Sequence, residues 1–120
     1  MEPREKAEAI LAAARARLAL SHGLFAGVVV RKQWRATEEC PTIGTDGGRC
    51  LYYNPAYIAQ CSISEVEGLL VHEACHDLGL HSFRMGQRNA WLWNIACDAA
   101  INPIVEEAGL CLPPDGVPGI

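Results

Sequence analysis

The sequence has no excess of positive charge, because its 120 residues include 10 lysines and arginines against 14 aspartates and glutamates, for a formal net charge of −4. Proteins that bind nucleic acid or anionic membrane surfaces need a basic patch, so we expect neither partner. No apolar run reaches the roughly 20 residues that a helix needs to cross a bilayer. The first residues are charged and rich in alanine, unlike a secretory signal. We therefore expect a cytoplasmic protein.

The sequence also lacks any Cys-x-x-Cys pair, although it contains six cysteines. Structural zinc ribbons use that pair, so we do not expect one here. An even number of cysteines in a short secreted chain would favour a disulfide framework, but without a secretory signal that interpretation weakens. Free cysteine is among the most buried residue types. We therefore expect reduced thiols that pack as small apolar side chains at Cys40, Cys50, Cys61, Cys75, Cys97 and Cys111.

What the sequence does contain is the segment His72-Glu73-Ala74-Cys75-His76, which has the pattern H-E-x-x-H. On a helix of 3.6 residues per turn, His72 and His76 lie one above the other, so both imidazoles can reach one metal ion. Glu73 lies about 100° round the helix, where its carboxylate can act on a water without binding the metal. The pattern predicts a metal-hydrolase site with Glu73 as general base. Because so short a pattern also occurs on ordinary helices, the surrounding sequence has to show whether this one is a metal site.

The surrounding sequence predicts that the motif is helical. Ser64-Glu65-Val66-Glu67 has the form of a capping box, with Ser64 as the N-cap and Glu67 reaching back to it. We expect the helix to begin near Glu65 and to run for about 14 residues. Gly79 is placed to end it as a left-handed C-terminal cap. The apolar residues recur at spacings of three and four, which predicts a buried stripe of Val66, Leu69, Leu70, Ala74 and Leu78.

Four further elements are predicted before the motif helix. Residues 4–21 form an amphipathic helix, and residues 24–34, which contain three consecutive valines, suit a buried strand. Residues 42–53 predict a β-hairpin whose turn is Asp46-Gly47, and residues 55–58 predict a short helical turn. Because the hairpin comes just before the motif, an extended peptide could add to its free edge and present a scissile carbonyl to the metal.

A catalytic zinc site usually has three protein ligands and one position for water, so the two histidines need a partner. A second helix is predicted over residues 87–101, ended or kinked at Asn102-Pro103 and followed by a short turn over residues 103–108. Asp98 lies on this helix among apolar neighbours and needs a compensating charge. His81 is the alternative, because it resembles the last histidine of the metzincin motif H-E-x-x-H-x-x-G-x-x-H but lies one residue too early. Asp98 is arranged like the third ligand of the gluzincins, and we favour it.

Several spaced motifs together resemble one bacterial family, the metallopeptidase domain that precedes a von Willebrand factor A-like domain in predicted metal-dependent peptidases. The similarity covers roughly residues 20–112 and rests on Thr45-Asp46-Gly47, Tyr53-Asn54-Pro55, His72-Glu73-x-x-His76, His81-x-x-Arg84 and Trp93-Asn94-Ile95-Ala96-x-Asp98-x-x-x-Asn102. The resemblance implies a minimal zincin-like α+β fold. In that fold an N-terminal backing helix and a small mixed or antiparallel sheet accompany the active-site helix and a following ligand helix.

The same resemblance implies a site and its partners. It implies Zn²⁺ bound by His72 and His76, with Glu73 as catalytic base, a peptide or protein substrate, and a von Willebrand factor A-like companion domain. With Asp98 as the third ligand, it also implies a polar cluster of His81, Arg84, Asn94, Asp98 and Asn102. In this cluster the two asparagines would orient Asp98 or a histidine.

The sequence predicts one domain over residues 1–112, followed by a tail or linker over residues 113–120 that is rich in proline and glycine. Three kinds of function are compatible with this domain. A zinc peptidase accounts for the whole motif and for Asp98. A zinc-binding module that regulates or docks to a partner domain would leave Glu73 without a role, and an interaction domain without metal would leave the candidate ligands unexplained. We therefore expect a zinc peptidase, and the sequence does not indicate which peptide it cleaves.

Overall fold

A computed structural model describes residues 2–79 and 81–113 of the chain, except for the side chains of Ser82 and Phe83. The fold is α+β, as the sequence predicts. Its helices and strands are, in order, α1 Pro3–Ser21, α2 Gly23–Val30, β1 Gln33–Ala36, β2 Ile43–Thr45, β3 Cys50–Tyr53, α3 Pro55–Ile58, α4 Ile63–Leu78, α5 His81–Arg84 and α6 Ala90–Glu107.

Two predictions concern the ends and the cysteines of the chain. Most of the predicted tail, residues 114–120, lies outside the described residues, and the proposed domain limits stay a prediction. All six cysteines are free thiols, and Cys75 and Cys97 are buried. Within the described ranges, no helix combines the length and the apolar character that a membrane span requires.

Helix α1 supports the rest of the domain with one face, which confirms the helix predicted over residues 4–21. Ala7, Leu11, Ala14 and Leu18 follow one another at spacings of four, three and four, and all are buried. A helical turn of 3.6 residues puts these positions on one stripe. Because α1 contacts α2, α3 and α4, it backs the helix that carries the histidine motif.

The segment predicted as a buried strand, residues 24–34, is mostly helix α2 instead, and β1 begins only at Gln33. Its valines favour a strand, but their disadvantage in a helix is below about 0.7 kcal/mol per residue. Ala26 and Val29 lie three residues apart and are buried where α2 packs on α1 and α4. Burying one valine stabilises a fold by about 1.5–3 kcal/mol. Tertiary packing therefore outweighs the local preference, and the strand prediction was wrong.

The three strands form a mixed sheet in the order β1-β3-β2, with β1 parallel and β2 antiparallel to β3. The predicted hairpin is confirmed, since β2 and β3 are joined through residues 46–49. Gly47 has a φ of 79°, a conformation that glycine adopts without a steric penalty. Asp46 Oδ1 closes the turn by accepting hydrogen bonds from the backbone N–H groups of Gly48, at 2.8 Å, and Cys50, at 3.1 Å.

Strand β2 lies at the edge of the sheet. At its two ends, the backbone groups of Thr42 and Asp46 bond to the β3 side of the hairpin. Because backbone groups alternate in direction along a strand, those of Ile43 and Thr45 point away from β3. Helix α4 contacts this strand. Among the described residues no strand pairs with this outer edge of β2, and this free edge lies beside the helix that carries the motif.

Helix α4 begins earlier than predicted, because the sequence contains two overlapping Ser-x-x-Glu patterns. The capping box uses Ser62 and Glu65, in which each backbone N–H donates to the other side chain, at 2.8 and 3.1 Å. The predicted pair, Ser64 and Glu67, was wrong. Glu67 is instead buried and lies 2.9 Å from Arg17 of α1. The earlier cap gives a helix of 16 residues.

Helix α4 is the central helix of the fold, since every residue from Val66 to Cys75 is buried. A surface helix buries only one stripe, whereas this stretch is covered on all sides. The predicted stripe ends before Leu78, which is 49% exposed. Gly79 was predicted as a left-handed cap but has a φ of −79° and is right-handed. A close contact with the His81 ring, rather than its backbone conformation, explains the glycine at this position.

Helix α6 begins at Ala90, behind the N-cap Asn89, and continues through Pro103. Proline removes one helical hydrogen bond and usually kinks or ends a helix, so the helix was predicted to end or kink at Asn102-Pro103. The predicted end was wrong, because the helix continues to Glu107. Ile101 and Val105, on either side of the proline, are both buried, and their packing holds the two halves in one helix.

The segment that follows α6 crosses α4 at Gly68. A Cβ atom on Gly68 would lie 1.9 Å from the carbonyl oxygen of Cys111, which is far closer than two such atoms can approach. Pro113, at the end of the described chain, is buried. The absence of a side chain at position 68 therefore lets residues 110–113 pack directly on the motif helix.

This close approach predicts that Gly68→Ala destabilises the protein. The added methyl group has to displace the backbone at Cys111, and overpacking of this kind costs about 1–3 kcal/mol. Gly27→Ala is the matched control, because that helical glycine has nothing within 4 Å of an added Cβ, and alanine should stabilise α2 by about 0.4–1 kcal/mol. Urea unfolding measures both free energies. Equal stability of the two variants would contradict the proposed contact.

Candidate metal centre

Two imidazole rings from α4 meet near the C-terminal end of this helix. His72 and His76 lie one helical turn apart, and their Nε2 atoms are 3.0 Å from each other. The His72 side chain is only 1% exposed, whereas that of His76 is 18% exposed. Because α4 is buried all round and capped at Ser62, its rotation is fixed. Both imidazole rings therefore point to the same site. His72 reaches it from the interior, and His76 reaches it from the surface side.

Asp98 of α6 completes this group. Its Oδ1 atom lies 2.9 Å from His72 Nε2 and 3.1 Å from His76 Nε2. The carboxylate is as inaccessible as His72, since its side chain is 2% exposed. One candidate ligand atom from each of the three residues lies within 4.8 Å of the others. The structure therefore brings together the three residues predicted as ligands, and together they could hold a metal ion.

The chemistry of this group fits a cation. Three atoms that each carry a lone pair face one another in a buried space, which is unfavourable unless protons or a cation lie between them. Asp98 Oδ2 and His72 Nδ1 are also buried, and neither has a hydrogen-bond partner in the described part of the chain. Two imidazoles and a carboxylate are ligands that catalytic zinc accepts. A divalent ion would compensate the carboxylate and the facing lone pairs at once.

The electrostatics of the group also suit metal ligands. Burial lowers the pKa of His72 and outweighs the opposing effect of Asp98, so this imidazole is neutral at pH 7, as a ligand must be. Burial opposes ionisation of Asp98, but its contacts with His72 and His76 outweigh burial and lower the pKa of the carboxyl group. The group therefore presents a neutral His72 ring and an ionised Asp98 carboxylate.

His81 supports His76 from behind. The Nδ1 atoms of the two rings are 2.9 Å apart, so His81 approaches the side of the His76 ring that faces away from Asp98. The indole N–H of Trp93 donates to the backbone oxygen of His81 at 2.9 Å. This geometry favours Asp98 over His81 as the third ligand, and it gives His81 the role of orienting a ligand imidazole.

The position of the His81 ring also explains Gly79. A Cβ atom on Gly79 would lie 2.4 Å from His81 Nε2, so the imidazole occupies the space that a side chain would fill. Glycine is therefore required for close approach rather than for a left-handed backbone. The sequence pattern identified the residue correctly but assigned it the wrong function, because a ring that folds back over the helix end leaves no local signature.

Glu73 lies beside the three candidate ligands and is only 5% exposed. Burial raises its pKa to about 8, and the negative charges of Asp98 and Asp77 add to this shift. A backbone hydrogen bond from Thr45 and the charge of Lys32 act in the opposite direction. A cation beside Glu73 would favour its ionised form. Metal binding and a basic Glu73 are therefore linked.

A cleft of about 250 Å³ opens onto the group. Strand β2 forms one wall, and residues of α4, α5 and α6 form the others. Its lining residues are Ile43, Gly44, Thr45, Glu73, His76, His81, Met85, Trp93, Asn94 and Asp98. The cleft therefore joins two candidate ligands, the candidate base and the free strand edge in one space.

The remaining members of the predicted polar cluster are less closely involved. The Arg84 guanidinium donates to the backbone oxygen of Gly79 at 3.0 Å and lies 6.0 Å from the Trp93 ring. Asn94 lines the cleft, and Asn102 is half-buried. Among the described residues, neither asparagine hydrogen bonds to Asp98. The predicted orienting role of these two amides is therefore not seen.

Sequence reasoning missed Lys32, Asp77 and the side chain of Thr45, which form a half-buried cluster next to Glu73. The ammonium group of Lys32 pairs with Asp77, and Asp77 accepts a hydrogen bond from Thr45 Oγ1 at 3.1 Å. Asp77 directly follows the motif and looked like an ordinary charged residue at a helix end. No local pattern connects it with the other two residues, which are distant in sequence.

A buried H-E-x-x-H helix, a carboxylate from α6 and a small mixed sheet together define a minimal zincin-like domain. The chain belongs to the family described as "Putative metallopeptidase domain", whose model matches residues 6–118. An uncharacterized protein of Thermotoga maritima is 36% identical over 69 residues, which cover 55% of this chain and 17% of that protein. The chain thus corresponds to a small part of that relative. No solved structure gives a significant match.

This geometry predicts the order in which substitutions weaken metal binding. His81→Ala removes the group that orients His76 and should lower Zn²⁺ affinity about 10- to 100-fold. Asp98→Ala removes a candidate ligand and should lower it further, whereas Asn94→Ala, in the same cleft, should change it little. Competition with a chromophoric chelator measures all three affinities. A larger loss for His81→Ala than for Asp98→Ala would assign the third ligand to His81 instead.

Proposed function

We propose that this domain is a zinc-dependent peptidase. The observation that supports this most is that His72, His76 and Asp98 converge beside the buried Glu73, in a cleft that is walled by a free strand edge. Two histidines and one carboxylate leave a position for water in a four-coordinate zinc site. Membership of a metallopeptidase family supports the same reaction class.

The reaction is hydrolysis of a peptide bond. Bound zinc would supply a Lewis acid that activates water and polarises the scissile carbonyl. Glu73 accepts the proton of the attacking water and then delivers it to the leaving amine. The low exposure of Glu73 and Asp98 keeps bulk water away from these charges, which strengthens their electrostatic interactions.

The substrate is an extended peptide that lies along the outer edge of β2. The backbone groups of Ile43 and the carbonyl oxygen of Thr45 point away from β3 and are available for strand addition, whereas the Thr45 N–H faces Glu73. The same residues line the cleft with Glu73 and His76. A peptide that adds to this edge would therefore have its backbone next to the candidate base.

We further propose that the domain acts in the bacterial cytoplasm as part of a larger protein. The matched segment makes up 17% of its Thermotoga maritima relative, which supports a setting with neighbouring domains. A von Willebrand factor A-like domain, which the sequence resemblance implies, is the proposed companion. Such a neighbour could present a protein substrate to the cleft.

Glu73→Gln tests the proposed base. Glutamine keeps the size and polarity of the side chain but cannot accept the proton, so peptide cleavage should fall by about 10²- to 10⁴-fold. Zinc content should stay at about one ion per chain, because Glu73 is not a ligand. A peptide library analysed by mass spectrometry compares the two proteins. Equal cleavage by both would refute the role of Glu73, and it would leave a non-catalytic zinc module as the alternative.

Zinc removal tests the metal itself. Chelation should abolish cleavage, and it should also lower the unfolding free energy, because the ion links α4 to α6. At a zinc concentration 1,000 times the dissociation constant, binding stabilises the folded state by about 4 kcal/mol. This stabilisation should be strongly reduced in Asp98→Ala, which is compared in the same titration. A wild-type protein that unfolds identically with and without zinc would exclude the site.

A further inference from the structure

A half-buried charge cluster next to the cleft has no role in the proposed reaction. The Lys32 and Asp77 side chains are 7% and 12% exposed and form an ion pair. Thr45 Oγ1 lies 3.1 Å from Asp77 Oδ1 and accepts from Lys32 Nζ at 3.3 Å. Lys32 also donates to the backbone oxygen of Gly48 in the hairpin turn. The cluster thus joins the α2–β1 connection, the β2–β3 hairpin and α4.

A buried ion pair contributes little to stability by itself, because removing two charges from water costs about as much as their attraction returns. The pair between Arg17 and Glu67 differs in this respect, since its arginine is 53% exposed. Both charges of the Lys32–Asp77 pair are largely shielded from solvent, and with Thr45 the pair connects three parts of the fold. We therefore expect the Lys32–Asp77 pair to fix one element relative to another rather than to add stability.

Thr45 connects this cluster to the cleft in two ways. Its backbone N–H lies close enough to the Glu73 carboxylate to lower the pKa of that group, and its hydroxyl donates to Asp77 at 3.1 Å. Glu73 and Asp77 are one turn apart on α4, so they lie on the same side of that helix. Strand β2 is therefore held to α4 at two successive turns, and both attachments are made by one residue.

The Thr45 hydroxyl oxygen lies at the centre of this cluster. Besides its contacts with Asp77 and Lys32, it accepts a hydrogen bond from the backbone N–H of Gly47 at 3.1 Å. It also lies 3.4 Å from the backbone oxygen of Cys50. These contacts fix both the start of the hairpin turn and the end of β2. This hydroxyl group therefore helps to set the position of the free strand edge relative to Glu73.

We propose that Thr45, Asp77 and Lys32 are positioning residues that hold the peptide-binding edge of β2 at a fixed distance from Glu73. This inference rests on the proposed peptidase function. A misplacement of about 1 Å between reacting groups can lower a rate by about 10²-fold, so a rigid attachment at this point has a direct chemical use. None of the three residues binds the metal or transfers a proton in this scheme.

The test uses the zinc-loaded full chain with Thr45→Val and Thr45→Ser. Valine has the shape of threonine without the hydroxyl, whereas serine keeps the hydroxyl and loses a methyl group. Thr45→Val should lower kcat about 10- to 100-fold with a smaller change in KM and unchanged zinc content. Thr45→Ser should stay within about threefold of the wild type. Equal activity of Thr45→Val and the wild type would overturn the proposal, as would an equal loss in both variants.

Asp77→Ala tests the other end of the same contact. If Thr45 and Asp77 act together, the double variant should be no slower than the slower single variant, because the second substitution removes a contact that is already lost. Additive losses would show that the two residues act separately and would overturn the proposal. The comparison of valine with serine at position 45 decides the question even if Asp77→Ala does not fold.

Amide hydrogen exchange provides a readout that does not depend on activity. The N–H of residue 45 points away from β3 and faces Glu73 of α4, so its protection factor reports how firmly β2 is held to α4. We expect protection to fall about tenfold in Thr45→Val and in Asp77→Ala, and to be retained in Thr45→Ser. Unchanged protection in Thr45→Val would refute the positioning role. Absence of cleavage by the wild type would refute the peptidase function instead, and this exchange measurement would still test the attachment.

Discussion

The rest of the structure depends on one constraint, which is the close approach of two imidazole nitrogens on α4 to a carboxylate oxygen on α6. His72, His76 and Asp98 are brought to within 2.9–3.1 Å of one another, although like partial charges favour separation. Such an arrangement requires each helix to be fixed in rotation, because a shift of one residue turns a side chain by about 100°. The N-caps at Ser62 and Asn89 and the complete burial of α4 meet this requirement.

The charges carried by the buried helix explain how the other elements are arranged around it. Glu67, Glu73 and Asp77 lie in or next to its buried part, and each is matched by a different element. Arg17 of α1 pairs with Glu67, and Lys32 pairs with Asp77. The Thr45 backbone of β2 faces Glu73. Since an unpaired buried carboxylate is strongly unfavourable, these contacts select the positions of α1, β2 and the α2–β1 connection.

Local spacing was sufficient to predict the helical histidine motif, the hairpin and the proximity of Asp98 to the two histidines, because each of these is encoded within a few residues or by one anomalous buried charge. The strand predicted over residues 24–34 and the break at Pro103 failed for a shared reason. In both segments burial against other elements outweighed the local backbone preference, and such burial cannot be read from a short window. The cluster of Lys32, Thr45 and Asp77 was not predictable, since only the folded chain brings these residues together.

The free edge of β2 has a consequence for the behaviour of the protein in concentrated solution. An unpaired strand edge can accept the same strand of another copy, which is the usual origin of edge-to-edge aggregation. Here the strand has only three residues, and Gly44 at its centre has low strand propensity. Few intermolecular hydrogen bonds are therefore possible. The same shortness keeps any bound chain only loosely held, which favours rapid exchange of partners over lasting assembly.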